Sequence, residues 1–264
     1  MNCRKTLLAA GVATAMFAVS SAGAVTLQSS HPTTPHAVSF PNATTASVLY
    51  DQTDNASGNG APAQNFETAY DAYDSEGADD FVVPAGGWTL TEADLVTSTS
   101  GPFTGTTTAT VNIYPDAAGQ PGASPVCSFP GATATVGAAT TTIPLTGGCS
   151  LGAGTYWLAV QIDLDLATNG QIFWSDRSTQ SNSAGVWRNP NDGFGSGCTN
   201  WDTLANCGVG GSFPDYLFQL VGNVGGGLPP YTPVPTIGQW GAGLGVAGLA
   251  LLGLFGLRRR RAHS

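Results

Sequence analysis

The clearest regularity along the chain is an alternation of period two. In residues 154–166, GTYWLAVQIDLDL, the side chains of Tyr156, Leu158, Val160, Ile162, Leu164 and Leu166 fall on one face. Trp157, Gln161, Asp163 and Asp165 fall on the other, which predicts a strand with one face toward water. Shorter runs of the same kind occupy residues 46–51, 80–84, 88–96, 108–114, 141–145, 171–175 and 216–222. Clusters of Gly, Pro, Asn and Asp separate them, as at 115–122 and 189–197. No long stretch of period 3.6 lies between them. The pattern predicts an all-β body, a single β-sandwich of jelly-roll type over residues 46–223.

The two ends read differently from this body. Residues 1–24 place Arg4 and Lys5 before an apolar run from Leu7 to Val19 and close on Ala22-Gly23-Ala24, the layout of a secretory signal peptide cleaved after Ala24. Cys3 precedes the apolar run and would leave with the peptide. Residues 25–45 are rich in Pro, Ser and Thr without hydrophobic period and are expected to form a weakly ordered linker. A second linker, Gly/Pro-rich, covers 224–233. Beyond it, Ile237 to Leu257 is uncharged; as a helix it would be about 31 Å long, enough to cross a hydrocarbon core of about 30 Å. Arg258, Arg259, Arg260 and Arg261 follow and would stay on the cytoplasmic side, leaving the body outside as the precursor sits in the inner membrane.

Charge sharpens the picture. Between residues 25 and 233 only Arg177 and Arg188 are basic, against all 17 acidic residues, so this region carries −15 whereas the whole chain carries −9. Such a field repels phosphate backbones and excludes nucleic acid as a partner. Four cysteines remain after export, and in an oxidising compartment an even number reads as two disulfides. Three connectivities are open. The pairing Cys127–Cys149 with Cys198–Cys207 is favoured because each bridge closes a short segment.

Candidate chemistry is sparse. His31 and His36 lie in the linker and His263 after the arginines, so the body offers no histidine of its own for a Ser-His-Asp, Cys-His or zinc site. No catalytic residue is assigned. A pair of carboxylates could still run glycoside hydrolysis. Asp71, Asp74, Glu76, Asp79 and Asp80 crowd ten residues with hard oxygen ligands of the kind calcium takes, although they lack the calcium-loop spacing. A solvated acidic loop is the plainer reading. Trp174, Trp187 and Trp201 fall near Arg188, Asn189, Asn191 and Asp192, a mixture of rings and polar groups that suits a saccharide. Trp174 belongs to a strand and is the weaker candidate, so Trp187, Arg188 and Trp201 are the expected ligand-binding residues.

The tail also carries a resemblance. Val234-Pro235-Thr236-Ile237, then Trp240-Gly241, an apolar helix and a terminal arginine cluster resemble the IPTL-CTERM sorting domain, with Val and Ile in place of Ile and Leu. The resemblance covers residues 234 to about 261 and implies recognition by an exosortase-type membrane enzyme that cleaves near the tetrapeptide and passes the body to the surface. Stretches such as ADDFVVPAGGW and PDYLFQLVG resemble a β-sandwich ectodomain found with such tags, to which no activity is attached. The expected function is that of an exported cell-surface or extracellular-matrix protein with a non-enzymatic body that contacts polysaccharide. A secreted carboxylate-dependent glycoside hydrolase is the alternative.

Overall fold

The computed structural model describes residues 26–33, 40 and 46–225. The expected signal peptide 1–24, the expected sorting motif Val234–Gly241, the apolar segment 237–257 and the arginines 258–261 lie outside them. Among the described residues no helix is long and apolar enough to cross a membrane.

The body is all-β. Its strands are β1 (Ser47–Asp51), β2 (Ala56–Pro62), β3 (Gln64–Asn65), β4 (Glu76–Val83), β5 (Trp88–Thr99), β6 (Gly105–Pro115) and β7 (Cys127–Val136). They continue with β8 (Thr140–Leu151), β9 (Gly154–Asp163), β10 (Ile172–Arg177), β11 (Val186–Arg188), β12 (Asp202–Thr203), β13 (Asp215–Tyr216) and β14 (Phe218–Val224). Two single-turn helices, α1 (Leu166–Asn169) and α2 (Leu204–Cys207), interrupt them. Hydrogen bonding runs in the order β1-β14-β5-β8-β7-β6-β9-β4-β11-β12, and the pairing is antiparallel apart from the short contact of β3 with β9.

One exchange of partners shapes the molecule. Strand β5 pairs with β14 from Trp88 to Leu95, and then with β10 from Thr97 to Thr99. The exchange turns on Leu217, between β13 and β14. Its carbonyl accepts the Val96 N–H at 3.0 Å, and its own N–H donates to Ser175 at 2.9 Å. The sheet curls there, and β10 takes up β2 and β13 as further neighbours.

The alternation in β9 holds on one face and is corrected on the other. Leu158, Val160 and Ile162 enter the main core with Phe81, Leu90, Ile113 and Leu220. Trp157 and Ala159, expected to be wet, are also fully buried, in a second cluster with Ala78, Tyr114 and Val186. Val186 of β11 and the partly buried Trp201 pack in this cluster, so β9 is buried on both faces at Trp157 and Ala159, while Gln161 and Asp163 stay partly exposed as expected. The predicted strand also ends early: α1 begins at Leu166, and its first N–H groups donate to the Glu67 carboxylate at 2.7 and 3.1 Å. The negative charge compensates groups that a helix start leaves unpaired.

Two strands lacked a hydrophobic signature for a physical reason. In β2, a Cβ on Gly60 would lie 2.8 Å from the Trp174 carbonyl oxygen, so close passage beside β10 requires glycine. In β7, Pro130 and Gly131 sit where the ladder with β6 shifts register between Ala109 and Val111, a bulge that breaks the alternation.

Both favoured disulfides are present. Cys127–Cys149 joins ends of β7 and β8, whose ladder closes only near Thr135–Val136, so the bridge holds the open end of the hairpin. Cys198–Cys207 ties the loop after β11 to α2. Replacing both Cys127 and Cys149 by alanine is expected to lower unfolding free energy by about 3 kcal/mol, from the loop-closure entropy restored to the unfolded chain. Urea titration under non-reducing conditions measures it; an unchanged midpoint would remove the bridge from the account of stability.

Candidate functional site

The residues expected to bind a ligand separate on inspection. Trp187 is fully buried, its indole N–H donating to the Pro62 carbonyl at 2.7 Å and its ring meeting Phe194 edge-on. It is core, not platform, because β11 packs onto β4 rather than projecting as a loop. Trp174 is likewise buried, stacked on Tyr216 at 4.4 Å with its N–H on the Leu217 carbonyl. Gly77 makes room for that stack, since a Cβ there would sit 2.8 Å from the Tyr216 hydroxyl.

Trp201 alone stays partly exposed. Arg188 lies over its ring, 4.2 Å from the centroid, and is held there by the Glu76 carboxylate at 2.5 Å. The guanidinium therefore covers one face of the ring, and Tyr114 meets it edge-on. This leaves little aromatic plane for a sugar.

The five carboxylates of the acidic stretch do not converge. Asp71 is exposed and Asp74 Oδ1 accepts the Phe66 N–H at 2.8 Å, burial raising its proton affinity. Glu76 and Asp80 project from one side of β4 and Asp79 from the other, as strand geometry dictates. Among the described residues, no group of three or more His, Cys, Asp or Glu side chains is arranged to hold a metal ion.

Asp79 instead belongs to a buried polar cluster. Its Oδ2 accepts Gln52 Nε2 and the Tyr216 N–H, both at 2.7 Å. Asp215 accepts the Ser181 N–H at 2.5 Å and lies 3.8 Å from Arg177, which also binds Asp54 at 2.7 Å. Burial pushes the Asp215 carboxyl up to about 6 and the Asp79 and Asp176 carboxyls well above their usual range. Composition hinted at this cluster, since Arg177 is one of only two cations in the body. Its acids come from separate strands and could not be grouped by position.

Among the concave features of the described residues, two bear on binding, and sequence reasoning found neither. The first is an open cleft of about 460 Å³ whose walls include Tyr70, Tyr73 and Phe194, with Leu27 and Ser29 at one side. Tyr73 meets Phe194 edge-on at 5.1 Å, and Tyr70 lies 6.5 Å from Tyr73. Buried Asn189 fixes the two loops that carry these rings: its amide N–H2 donates to the carbonyls of Ala72 and Asp74 at 2.8 and 2.9 Å, and its Oδ1 accepts the Phe194 N–H. The signal was Tyr70 and Tyr73 three apart on one turn, obscured by the acids around them.

No family model, curated protein or solved structure matches this chain.

The second feature is a more enclosed pocket of about 200 Å³ at the strand exchange. Residues 31–33, from the stretch expected to be a weakly ordered linker, lie against it: His31 N–H donates to Gly60 and Thr33 N–H to Gly58, at 3.0 and 2.8 Å. His31 stacks on Phe173 at 4.8 Å, with Nδ1 3.4 Å from Ser98 Oγ. The expectation that the linker histidines stand apart from the body is corrected for His31. Burial lowers its proton affinity, leaving the ring neutral at pH 7.

Proposed function

We propose that this chain is an exported cell-surface or extracellular-matrix protein, carried out by residues 1–24 and sorted through Val234–Gly241 and the segment behind it by an exosortase-type enzyme. Its body, read more finely as a jelly-roll-like β-sandwich, would be a non-enzymatic scaffold that contacts extracellular polysaccharide. The observation that carries the reading is the pair of disulfides within the body, since such bridges persist in oxidising compartments outside the cytoplasm. The saccharide part rests on the Tyr70–Tyr73–Phe194 cleft rather than on Trp187 and Trp201. Aromatic faces set beside polar groups in an open cleft suit an extended sugar chain, and a fixed loop holds them at low entropic cost. The hydrolase alternative has less support: the carboxyls whose proton affinity is raised furthest, Asp79, Asp176 and Asp215, are buried.

Fractionation of cells expressing Pro235→Ala, or a chain lacking Arg258–Arg261, tests the sorting step, both changes being expected to leave the protein in the membrane fraction. Binding is tested by retention on the cell's own polysaccharide. Tyr70→Ala with Tyr73→Ala is expected to weaken it at least about tenfold, the range lost when an aromatic anchor is removed. Trp201→Ala is expected to change it little. Normal processing of both tail variants would refute the sorting reading, and undiminished retention in the double tyrosine variant would refute the cleft.

A further inference from the structure

The rings of the Tyr70–Tyr73–Phe194 cleft are tilted against one another. Tyr70 and Tyr73 stand at 56° with centroids 6.5 Å apart, and Tyr73 and Phe194 at 83° with centroids 5.1 Å apart. They make a corner rather than the flat row on which successive neutral sugars would stack. A compact group seated in that corner meets more than one ring, and the aromatic quadrupole makes a cation the group that gains most there. Among the described residues no hydrogen bond engages the hydroxyl of Tyr70 or Tyr73, so both can serve the hydroxyls of a ligand.

Charge points the same way. The loop that carries the tyrosines holds Glu67, Asp71 and Asp74, the loop that carries Phe194 holds Asp192, and neither holds a lysine or arginine. Asp71 stands exposed between the two tyrosines on the short helical turn Thr68–Tyr73. The ion pairs among the described residues engage Asp54, Glu76 and Asp215, so no base neutralises any of these four acids. Arg188 follows Trp187 on β11 and projects from the opposite side of the strand to the ring that meets Phe194, where Glu76 holds it. The wall formed by Leu27 and Ser29 adds no charge. A polyanion would meet only repulsion at this cleft, whereas a chain of cations would be drawn to it.

We propose that the cleft takes a polysaccharide bearing free amino groups, with a protonated amine seated in the corner of the three rings and the acidic loops attracting the chain. This rests on the reading of the cleft as a polysaccharide site and narrows it to one class of chain.

Calorimetry on the exported protein purified whole from cells, in mildly acidic buffer, tests it with oligomers of glucosamine, of N-acetylglucosamine and of glucuronate of equal length. The glucosamine chain is expected to bind at least about fivefold more tightly than the acetylated one, as one cation–π contact implies, and glucuronate not to bind. Added salt is expected to narrow the preference. Asp71→Asn, an exposed change that leaves the rings in place, is expected to weaken the glucosamine chain about two- to threefold and to leave the acetylated chain unchanged. Tyr70→Leu and Tyr73→Leu, which alter no charge, are each expected to weaken the glucosamine chain at least about threefold. Parental affinity in both folded leucine variants would mean that the net charge of the body attracts the chain anywhere on its surface, and would overturn the assignment. Equal affinity for the amine-bearing and acetylated chains would also overturn it, as would binding of none of the three. Either result, with retention on the cell's own polysaccharide still lost in the variant carrying Tyr70→Ala and Tyr73→Ala, removes only this narrowing; undiminished retention in that variant removes the polysaccharide site as well.

Discussion

Replacing Trp187 by alanine is expected to cost about 3–5 kcal/mol of unfolding free energy, the range for deleting a large buried aromatic. The ring is wholly enclosed, its N–H satisfied by Pro62 and its edge set against Phe194. The variant would lose packing and leave that carbonyl without its donor. Trp201→Ala is expected to cost much less, because its ring is partly exposed and its main partner is the Arg188 guanidinium, a contact worth about 0.5–1 kcal/mol at an exposed site. Urea denaturation of the two variants side by side checks the contrast. Equal losses would mean that β11 does not pack as described.

Stability is expected to fall as pH rises from about 4 to 8, opposite to the usual trend for an acidic protein losing paired carboxylates. The direction follows from burial. Asp215 is pushed up to about 6, Asp79 and Asp176 well above their ordinary range, and Asp80 and Asp94 upward as well. Between the unfolded value near 4 and the higher folded value, each native carboxyl holds a proton that the unfolded chain has released. The unfolded state is then favoured increasingly as pH rises, by up to about 1.4 kcal/mol per pH unit for each such group. For Asp215 the loss accumulates between about 4 and about 6 and then levels off. Asp176 is the cleanest probe, since both carboxylate oxygens are buried without a hydrogen-bond partner. Asp176→Asn is expected to match the parent near pH 4, to exceed it at pH 8, and to reduce the slope by about one proton. A parental slope in the variant would remove Asp176 from the titrating set.

What was legible in the chain follows the hydrophobic period. Strands β5, β6 and β9 show the alternation and β14 a short apolar run, and the all-β class follows from them. The second face of β9 was not legible, because an aspartate and a glutamine beside Trp157 read as wet, and only the return of residues 186–203 over β4 shows what covers the ring. The same return decides Trp187: its neighbours Arg188 and Asn189 are polar for reasons of their own, one reaching Glu76 and the other pinning a loop. The disulfide pairing was legible from spacing. The two concave features were not, since each joins segments remote in sequence: Tyr73 with Phe194, and His31 with Ser98 and Ser175.

Strand β14 has one more consequence. It is the last strand of the body, yet it lies between β1 and β5 rather than at an edge, and it ends at Val224 beside Trp88. A mechanical load applied to the chain beyond residue 225 enters the body through this strand. A pull along its axis strains the ladder from Phe218–Leu95 to Val224–Trp88 together with the four pairs to β1, instead of peeling one pair at a time. The fold thereby meets tension from its C-terminal side in shear, across two ladders at once.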